Sequence, residues 1–356
     1  MKNMKQIKLN NHIIAKGKPP FIIAEAGINH NGDIKNALKM IDVAKKSAVH
    51  AIKFQTFKAS EFISDYNQKH TYKSQGKWIT ESMYDMFKRC ELTKEDWKKI
   101  KNQCDEKKIL FLSTPQNKTD LDLLLDLGIT AIKIGSDDFT NLPLIKEYAS
   151  TKLPLILSCG MADLSEICTS LKSVGAFDGY PTILLHTTSQ YPTPVKDTNL
   201  LKLKTLQNTF PNIPVGFSDH TQGSRASSLA VALGAVVFEK HFTLDHNLPG
   251  PDHWFSEDPT SLKEWVLSIK NSYAMLGNSI IKPTKEELKI RKIARRSIVA
   301  LNDIMKGEEF SEKNIGLRRP GNGLKPIMME KIVGQKSKQK ISKGKLLTTD
   351  DFQVKK

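Results

Sequence analysis

Ala235-Val236-Val237-Phe238-Glu239-Lys240-His241 is an apolar run that ends in charge. Its four leading residues read as a buried strand, with Glu239, Lys240 and His241 at the strand end. Charge is costly inside a core, so charge at a strand end marks a site more readily than packing. Side chains alternate along a strand, which puts Glu239 and His241 on one face. One strand earlier, Pro214-Val215-Gly216-Phe217-Ser218-Asp219-His220 repeats the pattern, with Ser218 and His220 sharing a face. Two histidines from adjacent strand ends can hold one divalent metal. They can equally be structural histidines satisfied by hydrogen bonds, and these two stretches alone do not separate the readings.

The same apolar-then-polar segment recurs upstream at residues 21–27 (FIIAEAG), 51–57 (AIKFQTF), 109–115 (ILFLSTP), 131–136 (AIKIGS), 154–160 (PLILSCG) and 182–188 (TILLHTT). Helical patterns lie between them, one with Ala37, Leu38, Ile41 and Ala44 inward, others starting near Thr93 and covering 120–127, 142–150, 163–174, 199–208 and 224–233. A last one covers 259–275. Strands alternating with helices at this spacing indicate parallel βαβ units. Eight such units over roughly 250 residues are what a (β/α)8 barrel, the TIM barrel, requires. A doubly wound open sheet is the alternative, but no GxGxxG follows the first strand.

In a barrel the C-terminal ends of the strands form the catalytic rim. Glu25, Lys53, Gln55, Thr114, Lys133, Ser136, Ser158, Ser218, His220, Glu239 and His241 all fall there. Residues 58–90 read as a long irregular insert, a kind of segment that is usually functional or mobile.

The chain of 356 residues has room for one large and one small domain. No apolar run reaches the ~18 residues of a membrane span. The first 18 residues carry scattered lysines without an apolar core or a cleavage site, so no signal peptide is expected. Cys90, Cys104, Cys159 and Cys168 show no CxxC spacing and read as reduced thiols of a cytoplasmic protein. The net charge of +16 is spread along the chain with no basic arm, which argues against nucleic acid as a partner. A basic surface can still steer small anions toward a positive mouth.

The tail changes character. Residues 286–296 read as a charged helix-like link, and beyond it lies a weak repeat. IMKGEEFS at 304–311 is echoed by ISKGKLLT at 341–348, and Asn314-Ile315 by Asp351-Phe352. Lys-Gly turns beside short apolar runs predict a small β-rich domain. Between the copies, Arg318-Arg319-Pro320-Gly321-Asn322-Gly323 forms an exposed loop suited to clamping an anion or a sugar.

Lys53 and Lys133 inside a barrel are costly unless paired with anions. With the hydroxyls of Thr114, Ser136, Ser158 and Ser218 they suit a phosphate and a carboxylate on one small acid. A Schiff-base lysine, and so an aldolase, is the rival. Two lysines without an evident partner acid favour anion binding. Glu25, Glu239, Asp138 and Asp252 are the carboxylates available for proton transfer or hydroxyl recognition.

These residues resemble a known family. IAEAGINHNGD at 23–33, KFQTF at 53–57, LSTP at 112–115, SDHT at 218–221, EKHFT at 239–243 and RRPGNG at 318–323 are similar to the motifs of the sialic acid synthases, more broadly the nonulosonic acid synthases. The tail resembles the antifreeze-like (SAF, β-clip) domain that these synthases carry. The resemblance implies a barrel over residues 1–280, a linker over 281–295 and the SAF domain over 296–356. It implies a transferase that condenses phosphoenolpyruvate with an open-chain N-acetylated hexosamine, giving a nine-carbon 2-keto-3-deoxy acid and phosphate. The sugar is N-acetylmannosamine or a 2,4-diacetamido-2,4,6-trideoxyhexose, and the product is sialic, legionaminic or pseudaminic acid, destined in the family for cell-surface polysaccharide. Lys53, Thr114, Lys133, Ser136, Ser158, Ser189 and Ser218 would hold phosphoenolpyruvate. His220 and His241 would bind a divalent metal, typically manganese, with magnesium or cobalt as substitutes, that polarises the aldehyde. Gln55, Tyr191, Asp252 and Arg319 would hold the sugar, with Arg319 supplied in trans by a swapped homodimer. Glu25 and Glu239 would handle water and protons, and Asp138 joins them as a carboxylate of the site. Two positions depart from the family: Asp138 stands where it usually has Glu, and Ser189 where sialic acid synthases often have Asn.

Overall fold

The computed structural model describes residues 6–352. Two compact units divide at Gly277/Asn278.

The first unit opens with a hairpin, β1 (Ile7–Leu9) against β2 (His12–Ile14). There follow β3 (Phe21–Gly27), α1 (Ile34–Lys46), β4 (Ala51–Thr56), α2 (Ala59–Phe62), β5 (Lys69–Ser74), β6 (Lys77–Ser82), α3 (Met83–Lys88) and α4 (Lys94–Glu106). The chain continues through β7 (Leu110–Pro115), α5 (Lys118–Asp126), β8 (Ile132–Ile134), α6 (Leu142–Ser150), β9 (Leu155–Ser158) and α7 (Leu164–Ser173). It ends with β10 (Thr182–His186), α8 (Lys202–Thr209), β11 (Val215–Ser218), α9 (Arg225–Ala232), β12 (Val237–His241) and α10 (Pro259–Leu276).

Eight strands form one parallel sheet in the order β7-β4-β3-β12-β11-β10-β9-β8, which brings its two edge strands together as a nearly closed barrel. The alternation expected of strands divides the core into two layers. Ile22, Ala24, Ile52, Phe54, Phe111, Leu157, Leu184, Phe217 and Phe238 face outward and pack against the helices. Ile23, Ala51, Leu112, Ala131, Ile156, Leu185 and Val237 face inward, together with Ile7, Leu9 and Ile14 of the first hairpin. Gly216 occupies the inward position on β11 because a Cβ there would lie 2.6 Å from Leu185 Cδ2 and 2.5 Å from the Val237 carbonyl oxygen. Side-chain caps start the helices where the sequence carries them: Asp33 for α1, the Thr93–Asp96 box for α4 and the Asp163–Glu166 box for α7.

Two features differ from the sequence reading. Residues 58–90 are ordered, not irregular: α2 and α3 flank an antiparallel hairpin of β5 and β6. Its turn is Gln75-Gly76, both at positive φ, which is the two-residue geometry that matches hairpin twist. The opening hairpin β1–β2 had no counterpart in the sequence reading.

The second unit holds α11 (Lys285–Ala294), the antiparallel pair β13 (Ser297–Ala300) and β14 (Ile315–Arg318), and α12 (Met329–Ile332). The two repeat copies meet in antiparallel fashion at Ile304 and Ile341. Ile304, Phe310, Ile315, Ile341, Leu347 and Phe352 form its core. Asn314 and Asp351 do equivalent work, accepting from the Ser311 and Thr348 amides at 2.8 and 2.7 Å. Among the described residues, no helix is long and apolar enough to cross a membrane.

Candidate active site

A cavity of about 300 Å³ opens at the C-terminal ends of the barrel strands. Six of the eight strands reach it by one step of two residues past the inward apolar layer: Ile23 to Glu25, Ala51 to Lys53, Leu112 to Thr114, Ala131 to Lys133, Ile156 to Ser158 and Val237 to Glu239. Gln55, Ser136, Ser189, Tyr191, Ser218, His220 and His241 complete the set of expected residues that line it. A larger groove of about 740 Å³, between Pro192 and Leu229, carries Arg225 as its single charged side chain and lacks an acid–base pair.

The floor is ionic. Lys53 Nζ lies 2.7 Å from Glu25 Oε2 and 3.8 Å from Glu239 Oε2, and Lys133 Nζ lies 3.6 Å from Glu239 Oε1. The lysines therefore do have partner acids, contrary to the sequence reading. Lys133 also donates to Ser158 Oγ at 2.7 Å and to the Ile134 carbonyl, while Lys53 donates to Thr114 Oγ1 at 3.3 Å. Gln55 donates to Glu25 Oε1 and Ser218 to Glu239 Oε1. All four titratable groups are buried, so each depends on its neighbours.

The two carboxyl groups are driven apart. Burial raises the Glu25 pKa, Lys53 opposes that, and Glu239 adds to it. Burial pushes Glu239 the same way, but Lys133 and Lys53 together with the Ser218 hydroxyl overcome it and hold Glu239 below the usual range. Burial lowers the Lys133 amine, whereas Glu239 and Glu25 outweigh burial at Lys53 and raise it. Glu239 is thus the settled anion of the floor, and Glu25 the group that takes a proton more readily.

Above the floor stand the histidines, with ring centroids 5.6 Å apart. β12 runs through its charged residues to His241 instead of ending before them, because Glu239 and His241 point into the barrel and Lys240 points out of it. Lys240 meets Asp219 at 3.2 Å and Glu257 at 3.6 Å and donates to the Thr221 carbonyl. Asp219 also accepts from Ser227 at 2.6 Å. This buried network behind the wall ties the ends of β11 and β12, and the sequence reading missed it.

His220 Nδ1 lies 2.8 Å from the Thr188 carbonyl oxygen. That bond puts the proton on Nδ1 and makes Nε2, 3.5 Å from Ser218 Oγ, the lone-pair nitrogen of the ring. His241 Nδ1 is buried without a hydrogen-bond partner, 3.9 Å from Asp252 Oδ2. Burial lowers both imidazoles, His220 to about 4 and His241 well below its ordinary value, with the neighbouring His220 contributing to the latter. Neutral imidazoles with lone-pair nitrogens are a donor set that fits a divalent ion. Among the described residues no group of three or more His, Cys, Asp or Glu is arranged around one point, so such an ion would keep open positions for substrate.

Three expected residues lie away from the cavity lining. Asp138 accepts a hydrogen bond from Asn141 Nδ2, and Asp137 lines the cavity in its stead. Asp252 stands behind His241, its carboxyl raised to about 7 by burial and by Glu25. Arg319 is exposed in the second unit, just past β14. Conversely, Phe62, Phe87 and Met161 line the cavity without having been anticipated. The insert that supplies the two phenylalanines carries no periodic pattern to reveal them.

Comparisons with known proteins bear on the family and the fold. A model of the NeuB family matches residues 40–281, and one of the SAF domain matches residues 295–353. The chain is 41% identical over 338 residues to the N,N'-diacetyllegionaminic acid synthase of Legionella pneumophila, covering 94% of this chain and 95% of that one. It is 35% identical over 339 residues to the pseudaminic acid synthase of Campylobacter jejuni, covering 94% and 97%. The crystal structure of N-acetylneuraminic acid (sialic acid) synthetase from Leptospira borgpetersenii serovar Hardjo-bovis in complex with citrate matches with a TM-score of 0.71 at 35% identity, covering 81% of this chain and 96% of that chain.

Proposed function

Because the chain belongs to the NeuB family, we propose that it condenses phosphoenolpyruvate with the open-chain aldehyde of an N-acetylated hexosamine, releasing phosphate and a nine-carbon 2-keto-3-deoxy acid. The observation that carries this reading is the ionic floor: two buried lysines and hydroxyl donors beside two carboxyl groups of opposite tendency, all in one cavity. Pairs of titratable groups pushed apart by their surroundings mark an acid and a base.

Lys53 and Lys133 hold the phosphate and carboxylate of phosphoenolpyruvate, with Thr114, Ser158 and Ser218 as further donors and Ser136 and Ser189 at the rim. The Ser189 hydroxyl is buried without a partner, which suits a group waiting for a ligand. His220 and His241 would hold a divalent ion, manganese being the leading choice, and such an ion supplies Lewis-acid polarisation of the aldehyde oxygen. The C3 carbon of phosphoenolpyruvate attacks the aldehyde carbon, and the aldehyde oxygen takes the proton held on Glu25. Water then adds at C2, giving up its proton to Glu239. The resulting hemiketal phosphate collapses by C–O cleavage to the keto acid and inorganic phosphate. Gln55 and Tyr191 face the sugar, and Asp252 steadies His241. The exposed Arg319 loop supports a sugar contact supplied by a second copy of the chain in a homodimer.

The lowered Lys133 amine favours one rival, a Schiff-base aldolase. Borohydride trapping with pyruvate would inactivate that enzyme and leave a synthase untouched. The direct test is phosphate release from phosphoenolpyruvate and manganese, with N-acetylmannosamine and with 2,4-diacetamido-2,4,6-trideoxyhexoses. Release that needs both a sugar and the metal supports the reading, and sugar-independent or chelator-resistant release sinks it.

A further inference from the structure

We propose that the second unit carries an anion site of its own, a cationic cavity that binds a diphosphate group. This site is independent of the synthase reading.

The cavity has a volume of about 250 Å³ and is lined by residues of the second unit alone. Arg291 and Arg295 reach it from the last turn and the end of α11, Arg296 from the position before β13, and Lys325 from the loop after β14. No acidic side chain lines it, and among the described residues none of the four cations forms an ion pair. Acids of this unit are engaged elsewhere: Glu286 with Lys289, Asp351 with Lys345, and Glu287 at the Thr284 amide. The negative end of the α11 dipole attracts cations to its last turn. It does not account for Lys325, which comes from a different segment. Like charges around one small space repel one another, and a ligand carrying several negative charges relieves them together.

The cavity is built in advance of any ligand. The Gly321 amide donates to the Lys292 carbonyl at 2.7 Å. The Gly323 amide donates to Ser297 Oγ at 2.9 Å, and that hydroxyl donates to the Pro320 carbonyl at 2.7 Å. The loop lies so close to α11 that a Cβ on Gly321 would come within 2.7 Å of Arg295 Cβ and 2.9 Å of the Arg291 carbonyl oxygen. The backbone that carries the arginines is thus fixed to the backbone that leads to Lys325, which reduces the ordering cost of binding. Arg319 of the same loop does not line the cavity, so the site is distinct from the sugar contact assigned to that residue.

The donors set the chemistry of the ligand. Guanidinium forks engage phosphate oxygens two at a time. Three forks and an ammonium offer more donors than a single phosphate or carboxylate can satisfy. The volume has room for about eight waters at about 30 Å³ each, enough for two linked phosphates but not for an enclosed nucleoside. Beside the cations, Pro326 and the exposed Ile327 form an apolar ledge for an organic substituent. Inorganic diphosphate and a nucleoside diphosphate share the group that is recognised.

Titration calorimetry on the full chain, in metal-free buffer at about 0.15 M salt, tests this with inorganic diphosphate, inorganic phosphate and uridine diphosphate. Diphosphate should bind about 10-fold or more tighter than phosphate, because each further charged hydrogen bond contributes about a factor of ten. Arg295→Gln and Lys325→Gln should each weaken diphosphate binding by about 10-fold or more. Both positions are exposed, so both variants should melt with the unmodified protein. Arg225→Gln, which removes an exposed cation of the first unit, should leave binding unchanged. Two results support the proposal and separate the sources. Uridine diphosphate binding tighter than diphosphate, with the excess lost in Ile327→Ser, identifies a nucleoside diphosphate, and equal or weaker binding identifies the inorganic ion. No diphosphate binding by the unmodified protein overturns the proposal. So does binding that survives both Arg295→Gln and Lys325→Gln, or that falls as far in Arg225→Gln.

Discussion

The two ends of the barrel are built from the same strands and differ in everything else. At one end Ile7, Leu9 and Ile14 of the opening hairpin pack onto Phe21, Ile23, Leu112, Ile156 and Leu185. Two residues further along, the same inward face carries Glu25, Thr114 and Ser158, joined by Lys53, Lys133 and Glu239. The first end lowers the free energy of the fold by removing apolar area from water. The second gives up part of that stability to hold four desolvated titratable groups in a fixed arrangement. The contrast teaches a division of labour: packing at the closed end keeps the charges at the open end where chemistry can use them.

Changes at the open end should therefore act on turnover before stability. Lys133→Ala and His241→Ala should each cut phosphate release by at least roughly 10³-fold, in line with removing electrostatic or metal contributions at a reacting centre. For His241→Ala, manganese binding measured by calorimetry should weaken in parallel. Full activity in either variant would end the comparison.

Leu112→Ala probes the closed end. It should lower unfolding free energy by about 2–5 kcal/mol while kcat/KM of the surviving folded protein stays near its starting value. Denaturant unfolding and steady-state kinetics on one preparation would check both halves.

Replacing the ionic layer as a unit sharpens the point. Glu25→Leu, Lys53→Met, Lys133→Met and Glu239→Leu combined should abolish activity yet leave the protein as stable or more stable by about 1–4 kcal/mol, as in other buried ion networks exchanged for apolar groups. Thermal melts would show whether the layer is a cost carried for function.

The smallest effect concerns pH. His30, buried in the loop after β3, has its pKa lowered from 6.5 to about 4 by burial. The folded state thus keeps it neutral while the unfolded chain binds a proton. Its contribution is present above about 6.5 and is lost as pH falls toward about 4. His30→Asn should flatten the fall of the urea midpoint across that window, and an unchanged slope would assign the loss to other groups.

Much of this was legible in the chain. Two-residue alternation announced that Glu239 and His241, or Lys53 and Gln55, share a face, and the rim they form follows from counting strands. The Asp219–Lys240 pair went unread, although the same alternation turns both outward on neighbouring strands. Asp137 and Asp138 were not separable, because β8 ends at Ile134 and alternation gives no guidance beyond it. The insert hid its hairpin behind Gln75-Gly76, a turn less familiar than Asn-Gly, and its short helices bury too few residues to print a period.

Sequence by itself determined the barrel, the second small unit, the family motifs and the residue types of the site, because backbone periodicity and local turn chemistry are written residue by residue. Only tertiary structure decided that the lysines already have acid partners, that Glu25 and Glu239 are pushed in opposite directions, that His220 presents Nε2, and that two phenylalanines from an unpatterned insert face the cavity. Those properties depend on burial and on distances between strands far apart in the chain, and neither is a property of any one stretch of sequence.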